Sequence, residues 1–256
     1  MTRHVALVTG SSRGIGRSAA IALARAGFAV AVHGSRASDD LDHALEDVRA
    51  AGARSVKIIY DVADCSGFAK LLDTAEAALG PLTTLVTNAG VGVMHRGDPL
   101  EVSEASWDRC LLINTKSVFF LTQEFAGRLL SRARSDDIFH AIINVTSSNA
   151  VAAAEPRIEY AVSKAASAMI SRGWAVRLGR EGIAVYDLQP GLIATDMTAT
   201  VIDQYKKRAE DGLTLLPRIG QPEDMGTIVA TLATGQLPYT TGLSIAADGG
   251  MLVPRF

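Results

Sequence analysis

The sequence predicts an α/β fold in which helices cover both faces of a doubly wound parallel sheet of about seven strands. Apolar runs of strand length alternate with longer amphipathic stretches throughout the 256 residues. Runs such as VALVT and AIINV are apolar on both faces, as strands buried between two layers of helices must be. No linker rich in Pro, Ser or charge interrupts the alternation, so we expect a single domain over residues 1–256.

The predicted strands are short and rich in Val and Ile. In chain order they span residues 5–9, 28–32, 55–60, 82–87, 141–146, 183–188 and 243–246. The predicted helices have apolar residues at helical spacing. In chain order they span residues 15–26, 41–51, 68–79, 105–131, 157–180 and 222–234. Helices that connect successive strands let those strands run parallel.

Charge and cysteine content argue against several classes of protein. The 25 Lys and Arg against 27 Asp and Glu give a net charge of -2, so neither nucleic-acid nor membrane-surface binding is expected. No run reaches the roughly 18 apolar residues of a membrane span. The apolar run within the start, MTRHVALVTG, is too short for the core of a signal peptide. We therefore expect a cytoplasmic protein. Cys65 and Cys110 lack metal-site spacing, which predicts reduced thiols and no metal.

A glycine-rich turn, TGSSRGIG at residues 9–16, follows the first predicted strand. Glycines let the backbone approach a bound group, and a helix amino end offers free N–H donors to a pyrophosphate. The alternative is a strand-to-helix turn that only needs glycine. The candidate phosphate-binding residues are Gly10, Ser12, Arg13, Gly14, Ile15 and Gly16.

The end of the second predicted strand reads His33-Gly34-Ser35-Arg36, where an NAD site usually has an acidic residue for the ribose 2′-hydroxyl. Ser35 can donate a hydrogen bond, and Arg36 together with Arg13 can clamp a 2′-phosphate. The sequence therefore favours NADP(H), with NAD(H) as the alternative. Arg36 at the head of a solvated loop is the competing interpretation.

Two groups suited to proton transfer lie one helical turn apart. Tyr160 and Lys164 stand at i and i+4 at the head of a predicted helix. Ser147 lies thirteen residues before Tyr160, at the end of a predicted strand, where a parallel sheet opens its ligand crevice. Asn114 lies in the apolar stretch LLINTKSVFFL, where an amide needs a partner or a function. Taken singly, each is an ordinary surface or core residue.

In combination these motifs resemble the classical branch of the short-chain dehydrogenase/reductase family over essentially the whole chain. The matching residues are TGSSRGIG at 9–16, Asp61-Val62, Asn88-Ala89-Gly90, Asn114, Ser147, Tyr160 and Lys164, Pro190-Gly191 with Thr195, and Asp248-Gly249-Gly250. The resemblance implies a Rossmann-type, NADP-binding enzyme that interconverts a ketone and a secondary alcohol.

The resemblance also implies roles for individual residues. Tyr160 would be the general acid/base, and Ser147 would hold and polarise the carbonyl oxygen. Lys164 would bind the nicotinamide ribose and favour the phenolate form of the tyrosine. Asn114 would position a water that relays protons to Lys164. The other expected cofactor contacts are Asp61 and Val62 at the adenine, Asn88, Ala89 and Gly90 along the adenosine, and Pro190, Gly191, Ile193 and Thr195 near the carboxamide and pyrophosphate.

The substrate follows less directly from the residues. The motifs SSRGIGR and PGLIATDM look most like the 3-oxoacyl thioester reductases, which act on acyl-carrier-protein or CoA substrates. Arg128, Arg132, Arg134 and Arg172 could form a basic rim for a carrier protein, although Glu181 adjoins the expected docking spot. Small ketones, keto sugars and polyols remain alternatives, as does a catalytically silent dinucleotide-binding protein. We also expect a substrate lid at residues 195–218 and a homotetramer or homodimer.

Overall fold

The computed structural model describes residues 4–255, apart from the side chain of Thr200, and contains a seven-stranded parallel sheet in the order β3-β2-β1-β4-β5-β6-β7. The strands are β1 (Val5–Val8), β2 (Ala29–Gly34), β3 (Ser55–Ile59), β4 (Thr84–Thr87), β5 (His140–Val145), β6 (Ile183–Pro190) and β7 (Ser244–Ala247). The helices are α1 (Gly14–Arg25), α2 (Asp39–Ala50), α3 (Phe68–Leu79), α4 (Glu104–Leu111), α5 (Ser117–Ser131), α6 (Ile158–Leu178), α7 (Ile202–Arg208) and α8 (Pro222–Ala233). The predicted doubly wound α/β fold is confirmed.

The alternation of side chains along each strand divides the core into two layers. In β1, Val5 and Leu7 point into the core formed with α3, α5 and α6. Ala6 and Val8 point into the opposite core, formed with α1, α2 and α8. Apolar residues on both faces of the strand are therefore explained by two layers of helices.

The chain order reverses at the centre of the sheet. From β1 the chain moves outward through β2 to β3, and β4 then returns to the other side of β1. In open parallel sheets, a crevice forms at the carboxyl ends of the strands where the order reverses. The turns that follow β1 and β4 therefore line the expected cofactor crevice.

Helices α1 and α8 pack unusually closely against each other. A methyl group on Gly226 of α8 would lie 2.6 Å from the hydroxyl oxygen of Ser18 on α1. That distance is shorter than any ordinary van der Waals contact, so this crossing requires glycine. The contact fixes α8 to the helix whose amino end faces the crevice.

The predicted single helix over residues 105–131 is wrong in one respect. A π-helical turn, Leu112–Lys116, separates α4 from α5 and contains Asn114. The side chain of Asn114 bonds to the backbone of Val91, and a wider turn at this point brings the amide to that loop. Helical spacing alone carries no signal for such a turn. Within residues 4–255, no helix has the length and apolar character needed to cross a bilayer.

Candidate active site

The glycine-rich turn leaves no room for side chains where it meets the β4 turn. Gly10 has a φ of +63°, and a methyl group on it would lie 2.8 Å from the Cα of Ala89. A methyl group on Gly16 would lie 2.3 Å from the carbonyl oxygen of Gly10 and 2.4 Å from the Nδ2 of Asn88. Glycine at these positions is therefore a requirement of the local packing.

Asn88 ties the turns after β1 and β4 together. Its Nδ2 donates hydrogen bonds to the carbonyl oxygens of Thr9 and Gly10, each at 3.0 Å. The backbone N–H groups of Asn88 and Ala89 donate to the Thr9 hydroxyl at 3.0 Å. The predicted adenosine-binding residues 88–90 thus lie directly beside the glycine turn.

The amino end of α1 is suited to an anionic ligand. No side chain caps this helix end, and its first turn holds no acidic residue. Unpaired N–H groups and the helix dipole therefore favour a negative charge at this point. The side chain of Thr195 lies over the same turn, where its Cγ2 is 3.4 Å from the position of a methyl group on Gly14. These residues fit the pyrophosphate of a dinucleotide.

A buried histidine that the sequence analysis missed supports the glycine turn from beneath. The Nδ1 of His33 accepts a hydrogen bond from the backbone N–H of Gly10 at 3.1 Å. The backbone of His33 also pairs with Ser11, at 2.8 Å and 2.9 Å. Burial lowers the pKa of His33 to about 4, so the imidazole is neutral at physiological pH. Its signal in the sequence was a lone polar residue in the apolar strand that precedes Gly34.

The residues after β2 carry a hydroxyl donor and a cation. Ser35 and Arg36 are exposed, and residues 33–37 contain no carboxylate. Arg13 forms an exposed ion pair with Asp196, at 3.3 Å, across the mouth of the glycine turn. At the end of β3, the carboxylate of Asp61 accepts a hydrogen bond from Ala63 at 3.0 Å. Val62, next to it, is buried.

Tyr160 and Lys164 lie together at the head of α6. The Nζ of Lys164 is 5.7 Å from the centroid of the Tyr160 ring and donates to the carbonyl oxygen of Val145 at 3.1 Å. Lys164 is buried, and no carboxylate in residues 4–255 forms an ion pair with it. Its charge is therefore available to the phenol beside it.

Asn114 connects the loop after β4 to α6. Its Oδ1 accepts from the N–H of Val91 at 2.8 Å, and its Nδ2 donates to the carbonyl oxygen of Val91 and to the hydroxyl of Ser163, both at 3.0 Å. Ser163 in turn donates to the carbonyl oxygen of Tyr160 at 2.7 Å. A methyl group on Gly90 would lie 3.1 Å from this Oδ1 and 3.5 Å from the Nζ of Lys164. Asn114, Lys164 and the residues 88–90 thus meet at one point.

Ser147 is the second residue after β5, and α6 packs against the short turn that follows it, Ser148–Ala150. Its hydroxyl accepts a hydrogen bond from the N–H of Asn149 at 3.1 Å, which fixes the oxygen and leaves the hydroxyl proton available to donate. Serine at this position thus presents a donor at the carboxyl end of the sheet, where the crevice opens.

A buried carboxylate that sequence reasoning also missed holds the strand ends next to Ser147. Asp187 on β6 accepts hydrogen bonds from Gln189 at 2.7 Å, from Ser244 of β7 at 2.9 Å, and from Thr146, the neighbour of Ser147. These neutral donors satisfy a carboxylate that would otherwise be costly to bury. The network joins the residue after β5 to the middle of β6 and to the start of β7.

The segment after β6 is also closely packed. A methyl group on Gly191, which follows Pro190, would lie 2.6 Å from the Cα of Asp248. Ile193 is buried and pairs with Gly220 through an isolated parallel bridge. These contacts set the path of the chain from β6 to Thr195.

The predicted lid, residues 195–218, is fixed at both ends. Thr195 and Thr198 form a reciprocal capping box at its start. At its end, Arg218 makes two hydrogen bonds to Asp224 of α8, at 2.7 Å and 3.0 Å. Inside the lid, Gly212 has a φ of +92° and breaks the helical path, and its carbonyl oxygen accepts from Arg255 at 3.0 Å.

Three arginines of the expected basic rim are paired with acids of the same chain. Arg128 contacts Asp73, Glu76 and Glu124 at 2.7–3.2 Å. Arg132 contacts Glu76 at 2.6 Å, and Arg134 lies 4.0 Å from Glu181. Arg172 is exposed on α6. The positive charge of this rim is therefore largely neutralised.

Residues 4–255 contain no group of three or more His, Cys, Asp or Glu side chains arranged to hold a metal ion. Cys65 and Cys110 are free thiols, as expected; the first is half-buried and the second buried. Burial raises the pKa of the Cys110 thiol. Neither thiol is therefore suited to act as a nucleophile at neutral pH.

Comparisons with known proteins agree on one family. The family model for short chain dehydrogenases matches residues 4–206. A 3-oxoacyl-[acyl-carrier-protein] reductase FabG of Staphylococcus aureus is 35% identical over 248 residues, which are 96% of this chain and 97% of that protein.

Solved structures match the same family. A 3-oxoacyl-[acyl-carrier protein] reductase from Brucella melitensis, in complex with NAD, is 33% identical and covers 100% of both chains with a TM-score of 0.96. A protein from Agrobacterium tumefaciens, provisionally named 2-deoxy-D-gluconate 3-dehydrogenase, holds NADP; it is 28% identical, with a TM-score of 0.87 over 99% of this chain and 98% of its own. Matching over essentially the full length in sequence and in fold, the chain belongs to the short-chain dehydrogenase/reductase family of oxidoreductases.

Proposed function

We propose that this protein is an NADP(H)-dependent oxidoreductase that interconverts a ketone and a secondary alcohol, with Tyr160 as general acid/base. The observation that carries the proposal is the buried ammonium of Lys164, 5.7 Å from the centroid of the Tyr160 ring. This ammonium places a positive charge beside the phenol, where negative charge develops when Tyr160 gives up its proton.

The chain's own residues supply the proton path and the orientation. When bound, a nicotinamide dinucleotide supplies the hydride that a ketone accepts, or takes the hydride that an alcohol gives up. In the direction of reduction, Tyr160 gives its phenolic proton to the carbonyl oxygen, which Ser147 polarises by donating a hydrogen bond. Lys164 holds the nicotinamide ribose and stabilises the phenolate that remains. Asn114 positions a water beside Lys164, through which the proton is replaced.

The preference for NADP(H) over NAD(H) rests on the residues after β2. Arg36 is exposed and has no ion-pair partner in residues 4–255, and the residues around it contain no acid to hold a ribose 2′-hydroxyl. Arg13 would leave its weak, exposed pair with Asp196 to contact the 2′-phosphate. Relatives with NAD and with NADP are both known, so the residues of this chain carry the argument.

Two substrate classes have support. Similarity to FabG proteins favours a 3-oxoacyl thioester of an acyl-carrier protein or CoA. The second candidate is a small ketone, keto sugar or polyol, and the observation that favours it is the pairing of Arg128, Arg132 and Arg134 with acids. A carrier protein would find little free positive charge on that rim.

Two exposed aromatic residues on α5 support the proposed homotetramer or homodimer. Phe119 and Phe120 are 37% and 40% exposed, and the Phe119 ring lies 5.4 Å from that of Trp174. Such a patch is suited to an interface between copies. A cytoplasmic location is proposed with it, since the free thiols Cys65 and Cys110 suit a reducing compartment.

Substitution of Tyr160 by Phe tests the reaction. We expect Tyr160→Phe to lose turnover by about 1000-fold or more, because the general acid is removed. The variant should still bind NADPH, and more tightly than NADH, in a fluorescence titration. Tyr239→Phe, at a fully exposed tyrosine outside the proton path, is the matched control. Near-normal turnover by Tyr160→Phe would contradict the mechanism, and a wild type that binds NADPH but turns over no carbonyl compound would indicate a silent binding protein.

A further inference from the structure

Three side chains from separate segments interact with one another, and one of them lies beside Tyr160; none has a part in the proton path. Arg157 ends the short turn before α6, and its guanidinium carbon is 6.0 Å from the centroid of the Tyr160 ring. Arg96 belongs to the loop after β4, and Tyr205 belongs to α7 in the lid. Both arginines interact with the Tyr205 hydroxyl. The lid, the β4 loop and the head of α6 therefore meet at this cluster.

The cluster is positively charged and lacks a counter-charge. Burial alone would raise the pKa of Tyr205, which is 7% exposed, but Arg96 and Arg157 outweigh burial and lower that pKa. No carboxylate in residues 4–255 lies within ion-pair distance of either arginine. Arg128 on α5, by contrast, has three acidic partners.

Two guanidinium groups that form no ion pair within residues 4–255 are free to bind an anion. Arginine presents its N–H groups in a planar fork that matches the two oxygens of a carboxylate, and the paired hydrogen bonds are about twice as strong as neutral ones. Since Arg157 flanks the ring of Tyr160, a bound anion would lie only a few bonds from the carbon that reacts. A neutral acyl tail, by contrast, would bring apolar surface against two cations, which is unfavourable.

We propose that the substrate is a compact hydroxy acid, or the corresponding oxo acid, whose carboxylate is held by Arg96 and Arg157 while Tyr160 and Ser147 act on its alcohol or carbonyl group. This inference rests on the proposed function and narrows it to the second of the two substrate classes. Tyr205 orients the two guanidinium groups from the lid, so substrate binding and lid position are coupled at this hydroxyl.

Matched substrates test the proposal directly. We would compare hydroxy acids of three to six carbons with their primary amides, which have the same shape without the charge, using the full chain and NADP+. The acids should show kcat/KM values at least about 10-fold above those of the amides. Arg96→Gln and Arg157→Gln should raise KM for the acids about 10-fold and leave the KM of the amides within about twofold. Arg157→Lys keeps the charge but loses the planar fork of N–H groups. Its KM for the acids should therefore lie between those of the wild type and Arg157→Gln.

A control variant and a binding measurement test this proposal separately from the proposed function on which it rests. Arg172→Gln, at an exposed arginine on α6, should leave both sets of substrates unchanged. In the NADP+-loaded Tyr160→Phe variant, the acids should raise the melting temperature, and Arg157→Gln should abolish that rise.

The possible failures are distinct. Equal kcat/KM values for the acids and the amides would contradict the carboxylate site. So would equal changes in KM for both sets of substrates in the arginine variants. Neither result would affect the proposed reaction. Absence of any melting shift with the acids would overturn the carboxylate site as well. A shift or an arginine dependence found only with phosphorylated alcohols would show that the anion is a phosphate and not a carboxylate. Near-normal turnover by Tyr160→Phe would instead contradict the proposed function.

Discussion

The proposed cofactor side of the active site, residues 9–16 and 88–90, is held by backbone contacts and by glycines that admit no methyl group. The proposed substrate side, residues 91–101 and 195–218, is held by long side chains such as Arg96, Tyr205 and Arg218. Backbone contacts tolerate little change, because any added atom must displace the main chain. Side-chain contacts can be replaced one at a time, so the same cofactor side can serve many substrates.

Glycine-to-alanine substitutions on the two sides should give the largest contrast. Gly16→Ala places a methyl group 2.3 Å from the Gly10 carbonyl oxygen, so the turn must open and we expect affinity for NADPH to fall by about 1000-fold. Gly92→Ala, with nothing within 4 Å of its methyl group, should bind NADPH like the wild type. Fluorescence titration measures the dissociation constant of NADPH for both variants. Similar losses of affinity in the two would show that the two sides tolerate an added methyl group equally well.

Acid should destabilise the cofactor side through His33. The unfolded histidine takes up a proton near pH 6.5, whereas the buried one does so only near pH 4. Between these values the unfolded chain binds more protons, so stability that is complete above pH 6.5 is lost as the pH falls, by about 3 kcal/mol in total. Urea unfolding at pH 7.5 and at pH 4.5 measures the difference.

Two variants isolate the contribution of His33. His33→Asn keeps an acceptor for the Gly10 N–H and should reduce the pH dependence. A smaller pH dependence of stability should remain because of His140, since burial also lowers the pKa of that imidazole. His43→Asn, at an exposed position on α2, should leave the pH dependence unchanged. An unaltered profile in His33→Asn would mean that the histidine contributes nothing to it.

Asn114 joins the two sides, so its removal tests whether they are independent. Asn114→Ala leaves the backbone of Val91 and the hydroxyl of Ser163 without their partner, which should cost about 2 kcal/mol of unfolding free energy. Turnover should fall as well, while affinity for NADPH should change by less than about threefold. Thr122→Val, which replaces a buried hydroxyl that lacks a partner in residues 4–255, should be neutral or stabilising. Loss of cofactor affinity in Asn114→Ala would show that the two sides are coupled.

The parts that were predictable from the sequence are those where residue type follows from local backbone demands. Alternating apolar runs predicted the sheet, and the glycines at 10, 14 and 16 predicted the sharp turn between β1 and α1. The spacing of Tyr160 and Lys164 predicted their common position at the head of α6. The boundaries were less accurate: β6, for instance, continues to Pro190 because it pairs with β7 as far as Ala247.

Features that depend on contacts between distant segments were not predictable. The π-helical turn at Asn114 arises from bonds to Val91, and the role of His33 arises from its contact with Gly10. Arg96 and Tyr205 lie more than one hundred residues apart in the chain, and no local pattern connects them. Arg157 lies three residues before Tyr160 in the sequence, but only the fold brings the other two side chains to it.

The anchoring of the lid has a consequence for protein engineering. One end begins at Thr195, over the amino end of α1, and the other is fastened by Arg218 to α8, which packs against α1 through Gly226. Residues 199–217 therefore form a cassette whose two boundaries rest on one rigid support. A segment of equal length from a relative could be exchanged there, with Gly212 kept as the bend, to redirect the choice of substrate while the cofactor site stays as it is.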